Sequence, residues 1–288
     1  MTKIIDRTEL MRVIDSIPLL SQSAALLLQL SANTKHEMKE IIDVVRFDSS
    51  LTVHVLRVVN SAAFGLRQSI DSIDRAVTYL GERMVVGIAL NDSAGVVFDK
   101  KLDGYEGQRG DLWRHDLRAA IASREVAHHA KSEINPDLAF TGGLLHDIGK
   151  SVISDFLRGS AHEVLDRIEA QQAADYLAAE RAMIGIDHTE AGLELAKRWN
   201  LPEALQMVIR HHHHPQQAPE EYQTLIYSVH LGDTIAMMGG GGTGADTLHY
   251  QLDGNYTQFL DLTSANLALI LLDVEEEFRR LTNSLAEN

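Results

Sequence analysis

The sequence predicts an all-α protein, a multi-helix bundle in two lobes, and three observations carry that prediction. Apolar residues recur at helical rather than alternating spacing; capping residues and prolines punctuate the segments; and no strong hairpin, internal repeat or coiled-coil heptad is present. With 288 residues the chain can bury a large core, and 45% apolar with 23% charged residues is an ordinary globular composition. The balance of 41 acidic against 26 basic residues, a formal charge of −15, argues against general electrostatic binding to nucleic acid or anionic lipid. No stretch approaches the roughly 20 apolar residues that span a bilayer. The start, Met1-Thr-Lys-Ile-Ile-Asp, lacks the apolar core of a secretion signal, and there is no cysteine for a disulfide, so a cytoplasmic protein is expected.

The N-terminal lobe, residues 1–105, reads as a run of short helices. Packing is expected to start at Ser16-Ile-Pro-Leu-Leu, with an amphipathic helix from Ser23 to Leu30 and a further one presenting Ile41, Ile42, Val44 and Val45 inward. Asp48 is placed to cap a helix from Leu51 to Asn60, whose dense valines fit a buried helix better than alternation. His54 there reads as a structural histidine on an apolar face. Gly65 closes that stretch, and Ala76 to Leu90 is helical with a break at Gly81.

Asp103-Gly-Tyr-Glu-Gly-Gln-Arg-Gly110, with three glycines, is the expected hinge before the second lobe, residues 106–288. Asp111 can cap the next helix, on which His115 shares a face with Leu112, Ala119 and Ala122; His128 and His129 fall at its polar end. Asn135-Pro136 marks a helix start, and that helix delivers His146 and Asp147. Adjacent helical residues diverge by about 100°, so both can reach one ion only where the helix ends, an ending assigned to Gly149. More amphipathic helix follows over Ser151–Leu157 and Ala161–Met183. Asp187-His-Thr-Glu190 forms a capping box with His188 in the first turn, and Pro202 opens a helix ending at His211–His214 before Pro215. On the helix from Glu221 to Met238, Asp233 lies on the apolar face of Leu225, Ile226 and Val229, where a carboxylate needs a cation or donors. Gly239–Gly244 lacks the lysine of a phosphate-binding loop and reads as a flexible connection; Ala265–Leu285 is a C-terminal packing helix.

His115, His146, Asp147, His188, one or two of His211–His213, and Asp233 therefore lie at helix ends or on inner faces. Imidazoles and carboxylates without thiolate suit one or two divalent transition-metal ions, iron, manganese, zinc or nickel, with Asp147 placed to bridge them. Such a centre generates hydroxide and stabilises phosphoryl oxygens, so phosphoester hydrolysis is the chemistry it suits best. Lys150 could place a point charge beside an anionic substrate.

The order His115, His146-Asp147, Asp233 resembles the H…HD…D signature of the HD superfamily of metal-dependent phosphohydrolases, and most closely its HDOD branch. Asp48-Ser-Ser-Leu-Thr, Val58-Val-Asn-Ser-Ala, Ile73 to Gly81, Trp113-Arg-His115, Gly143 to Lys150, Asp187-His188, Trp199-Asn-Leu-Pro202 and His212-His-His-Pro215 resemble HDOD segments in order, over most of the chain. The resemblance implies an all-α fold and a role in bacterial signal transduction; the first reading then takes His115, His146, Asp147, His188, His212, His213 and Asp233 as metal ligands, with Lys150 on a phosphate. His188 and the His212-His213 pair resemble the HD-GYP phosphodiesterases that hydrolyse cyclic di-GMP. The chain departs from them after His214, where Pro-Gln-Gln-Ala-Pro-Glu stands without Asp-Gly-x-Gly-Tyr-Pro.

Two functions follow. One is a signalling protein that hydrolyses a phosphodiester or nucleotide ligand. The other is a non-catalytic interaction module, in which the N-terminal lobe and Gly104–Gly110 dock a signalling partner and the metal is structural or lost. A nucleotide deaminase is disfavoured, since no acidic residue is placed as its proton shuttle.

Overall fold

The polar caps of the sequence set where the helices begin in a computed structural model that describes residues 4–33 and 35–286. The N-terminal part contains α1 (Arg7–Ser16), α2 (Gln22–Ser31), α3 (Met38–Arg46), α4 (Ser49–Val59), α5 (Ile73–Leu80) and α6 (Glu82–Phe98). Asp6, Ser21 and Asp48 cap α1, α2 and α4 through side-chain oxygens that accept from backbone N–H groups. Gly81, at φ +78°, separates α5 from α6 as expected. Packing starts earlier than Ser16, because α1 already buries Leu10 and Ile14. Leu27 and Leu28, then Ile41, Ile42 and Val45, then Val55, Val58 and Val59 continue the core, while Val44 is only half-buried. His54 does not lie on the expected apolar face: one position off the stripe of Leu51, Val55 and Val58, it is part-exposed and meets the Asp92 carboxylate of α6 at 2.6 Å, a contact between helices.

The remainder contains α7 (Asp111–Ala127), α8 (Pro136–Leu145), α9 (Ile148–Ile153), α10 (Ala161–Glu169), α11 (Tyr176–Ile184), α12 (His188–Arg198), α13 (Glu203–His211), α14 (Glu220–Met238), α15 (Tyr256–Phe259) and α16 (Ser264–Ala286). Asn135 caps α8 with Pro136 in its first turn, and the Asp187–Glu190 capping box starts α12. Helix α7 is the centre, with α8 and α14 packed along it. Small residues permit that closeness: a Cβ at Gly143 would lie 2.7 Å from Ala120 Cα, and one at Gly232 would lie 2.6 Å from Ser123 N. The close approach brings His115 of α7, His146 after α8 and Asp233 of α14 together. Across the other side of α7, α16 buries Ile270, Val274, Phe278 and Leu281, and Arg124 pairs with Glu277 at 2.6 Å.

Several local expectations are corrected. Asp111 is not the cap of α7. Gly110 takes that place in the left-handed region, and Asp111 is the first helical residue, its carboxylate accepting from Gln108 N at 2.6 Å. Ala161–Met183 is not continuous, since a turn with Gln171 at φ +56° separates α10 from α11. The expected hinge and the expected flexible connection pack on each other. A Cβ at Gly107 would sit 2.3 Å from Thr243 O, one at Gly244 would sit 2.0 Å from Tyr105 O, and Tyr105 is fully buried. Gly107 and Gly244 thus serve close contact, while Gly110 and Gly240 adopt left-handed torsions. Among the described residues there is no strand beyond one isolated antiparallel bridge between Ala130 and Leu260, and no helix is long and apolar enough to cross a membrane.

Candidate metal centre

Helix α8 stops at Leu145, and α9 starts at Ile148. Between them His146 keeps helical dihedrals (φ −57°, ψ −36°) while Asp147 leaves them (φ −102°, ψ 9°), so two neighbouring side chains turn toward one point. Gly149 is not the terminator the sequence suggested. It lies inside α9, where a Cβ would fall 1.8 Å from His188 O, and its role is to let α9 approach α12.

All seven residues singled out as ligands converge in the interior. His115 Nε2 lies 3.1 Å from Asp233 Oδ1 and 3.5 Å from Asp147 Oδ2. His146 Nε2 lies 3.6 Å from Asp233 Oδ1, 3.5 Å from Asp147 Oδ2 and 3.3 Å from His115 Nε2. The other oxygen of Asp147 faces a second group, 3.3 Å from His188 Nε2 and 3.5 Å from His212 Nε2. His213 Nε2 is 3.1 Å from His188 Nε2. None of the seven is more than 5% exposed.

The outer nitrogen of each of four imidazoles is fixed. His115, His146 and His212 bring Nδ1 to the carbonyls of Gly241, Gly143 and Ile209 at 2.5, 2.8 and 3.1 Å, and His188 Nδ1 meets the Glu180 carboxylate at 2.8 Å. A carbonyl only accepts, so Nδ1 carries the proton and Nε2 turns its lone pair inward. Lone pairs and carboxylate oxygens thus face one another, an arrangement that needs a cation or protons between them. The charge balance follows. Burial works against the cationic form of His146, but the charges of Asp147 and Asp233 outweigh it and push the imidazole up to about 10. Burial also opposes ionisation of Asp147, yet Lys150 and His146 hold its carboxyl well below the usual range. His212, with less anionic support, is lowered by burial to about 4.

Lys150 is placed differently from the expected phosphate contact. Its Nζ reaches Asp147 Oδ2 at 2.6 Å, Asp246 Oδ2 at 2.5 Å and Thr243 Oγ1 at 3.0 Å, and it is 2% exposed. Three donors meet three protein acceptors, which leaves none for a phosphate. Other histidines stay outside the centre. His128 is exposed, and His230 uses both nitrogens, on His212 O at 2.7 Å and Asp253 N at 2.9 Å.

Sequence reasoning did not single out Asp116, Glu180, Thr243, Asp246 or Tyr250. Asp116 is adjacent to His115 and fully buried; Glu180 orients His188 and accepts from Tyr105 Oη at 2.7 Å; the Tyr250 ring stacks on His213 at 4.0 Å. The neighbour of a predicted ligand is a usable signal for Asp116. No local pattern marks the others.

The donor set fits a divalent transition metal. Asp147 Oδ1, His212 Nε2 and both oxygens of Asp116 are buried without a hydrogen-bond partner, and two groups, Asp147–His188–His212–His213 and His115–Asp116–His146–Asp147, bring ligand atoms within 4.8 Å of one another.

Comparison with known proteins agrees with the fold. An uncharacterized protein of Treponema pallidum (strain Nichols) is 29% identical over 228 residues, 79% of this chain and 44% of the relative, so the chain spans less than half of that relative's length. The structure of a candidate signal-transduction protein from Marinobacter aquaeolei VT8 superposes with TM-score 0.70 at 21% identity, over 99% of this chain and 61% of that one. A candidate phosphohydrolase from Shewanella amazonensis SB2B gives TM-score 0.56 at 25% identity, over 96% and 94%. The family model of the HDOD domain matches residues 17–215, from the end of α1 to the histidine run, and with that match the chain belongs to the HDOD domain family.

Proposed function

We propose that this HDOD protein carries a centre for one or two divalent transition-metal ions and hydrolyses a phosphodiester there, as part of bacterial signal transduction. The observation that carries the reading is Asp147, whose two oxygens face two separate sets of imidazoles, His115 with His146 and His188 with His212. That is the arrangement of a carboxylate shared between two cation positions. His115, His146, Asp233 and Asp147 would hold one ion; His188, His212, His213 and Asp147 the other. Bound ions would supply hydroxide at neutral pH and stabilise the phosphoryl oxygens. Lys150 acts through Asp147, fixing its orientation and offsetting its charge, and Glu180 holds His188 with its free lone pair inward. The Shewanella relative described as a candidate phosphohydrolase supports the chemical class. Cyclic di-GMP is not the favoured substrate, because the segment after His214 lacks the motif of the phosphodiesterases that cleave it.

Burial favours a second reading. Ligands no more than 5% exposed also suit a metal that only shapes an interaction module, with residues 1–105 as the lobe that docks a signalling partner. Elemental analysis of protein purified without a histidine tag or chelator, followed by phosphodiester turnover with added manganese or iron, separates the readings. About two ions per chain with turnover supports hydrolysis; ions without turnover support the module. His146→Ala with Asp147→Ala should remove the metal while circular dichroism stays helical, and unchanged metal content in that variant refutes the assigned centre.

A further inference from the structure

Asp116 follows His115 on α7 and is completely buried, and neither of its carboxylate oxygens has a hydrogen-bond partner. Of its helix neighbours three and four positions away, Leu112, Ala119 and Ala120 carry no donor side chain, and the indole N–H of Trp113 does not reach it, since both oxygens stay without a partner. The nearest imidazole nitrogen, His146 Nδ1, lies 3.7 Å from Asp116 Oδ1 and is already committed to Gly143 O at 2.8 Å. A carboxyl in such surroundings needs a cation or a proton. An Asp116 oxygen lies within 4.8 Å of ligand atoms of His115, His146 and Asp147. We propose that Asp116 is a further carboxylate ligand of the ion held by His115, His146, Asp147 and Asp233, so that this position is richer in oxygen than the one facing His188, His212 and His213.

The inference rests on the metal centre proposed above and makes the two cation positions chemically unequal. The first, with three carboxylates and two imidazoles, favours a harder ion such as manganese or iron(II); the second, with three imidazoles sharing one carboxylate, favours zinc. The competing account of Asp116 is an uncharged acid that packs the α7–α8 contact and binds nothing.

The test titrates manganese into metal-free, untagged wild type and Asp116→Asn by calorimetry, with melting temperature recorded before and after loading. Asparagine keeps the shape of the side chain and loses its charge. The expected result is one manganese site weakened by about 10–100-fold in the variant, in the range of losses seen at supported metal sites, with the other site unchanged. Equal manganese affinity in wild type and variant, with a higher melting temperature for the metal-free variant, overturns the assignment and identifies Asp116 as an uncharged packing residue. If the variant does not fold, a zinc- or manganese-soaked crystal of the wild type decides: an Asp116 oxygen within about 2.2 Å of an ion supports the assignment, and a larger separation with the ion present overturns it. A wild type that takes up no metal overturns both this inference and the proposed function, whereas bound metal with Asp116 indifferent to it overturns this inference alone.

Discussion

Replacing Gly149 by alanine should dismantle the metal centre without altering any ligand. The added Cβ would lie 1.8 Å from His188 O and 2.6 Å from Gly192 N. Ordinary contact begins near 3.4 Å, so α9 and α12 must separate by about 1.6 Å at this point. The carbonyl that is struck belongs to a ligand residue, and Asp147 stands two residues before the new methyl. The separation therefore enters the 3.3 Å distance between His188 Nε2 and Asp147 Oδ1 almost undiminished. Metal sites tolerate ligand displacements of roughly 0.2 Å, far less than this. Overpacking of buried backbone costs typically about 1–3 kcal/mol, and backbone on both sides of the contact puts Gly149→Ala at the upper end. For a chain of this size about 3 kcal/mol lowers the melting temperature by roughly 6–12 °C. Gly142→Ala is the control, because its Cβ meets only the methyl groups of Val208 and Val229 at 3.3 Å, which can give way. Circular dichroism melts with elemental analysis of both variants read the outcome. Gly149→Ala with wild-type metal content and a melting temperature within about a degree of wild type would refute the claim that this backbone approach sets the site.

Three further outcomes follow from the same interior. Lys150→Met leaves the Asp147 and Asp246 carboxylates without their buried counter-charge and should cost about 3–5 kcal/mol in urea denaturation of metal-free protein; a loss below about 1 kcal/mol contradicts the reading of Lys150 as an internal ion-pair partner. Glu180→Gln keeps the size of the side chain but weakens its hold on His188 Nδ1, and should lower metal affinity about 10–100-fold by calorimetry; unchanged affinity removes Glu180 from the centre. Burial opposes ionisation of Glu277, but the hydrogen bonds and charge of Arg124 outweigh it and hold the carboxyl below its ordinary value. The folded value lies below the unfolded one, so this stabilisation is complete above the ordinary glutamate range and is lost as pH falls through the lowered value. Arg124→Ala should therefore melt below wild type at neutral pH, with the gap narrowing on acidification; a gap that widens toward low pH reverses the sign and excludes this pair as the tie between α7 and α16.

What was legible in the sequence was what local chemistry specifies. Asp48, Asn135 and the Asp187–Glu190 box announce helix starts through short-range hydrogen bonds, so the elements they begin are readable, and His146, His188 and His212 stand out because they lie at helix ends. Contacts between distant segments were not readable. Lys150 reads as a free charge in sequence because its partners Thr243 and Asp246 come 93 and 96 residues later, in and just after a glycine-rich stretch whose composition suggests flexibility. Gly244 instead admits the backbone of the segment around Tyr105, and in the same stretch the Gly241 carbonyl meets His115 Nδ1 and the Asp246 carboxylate meets Lys150. The two segments that composition marked as loose are thus the ones that orient the first and last residues of the His115–Lys150 series. A glycine run reports that close approach or unusual torsion is allowed; only the partner segment decides which of the two is used. The same logic separates Gly149 from its expected role, since a glycine after a His-Asp pair ends a helix when solvent lies beyond it and joins two helices when, as here, the backbone of α12 does.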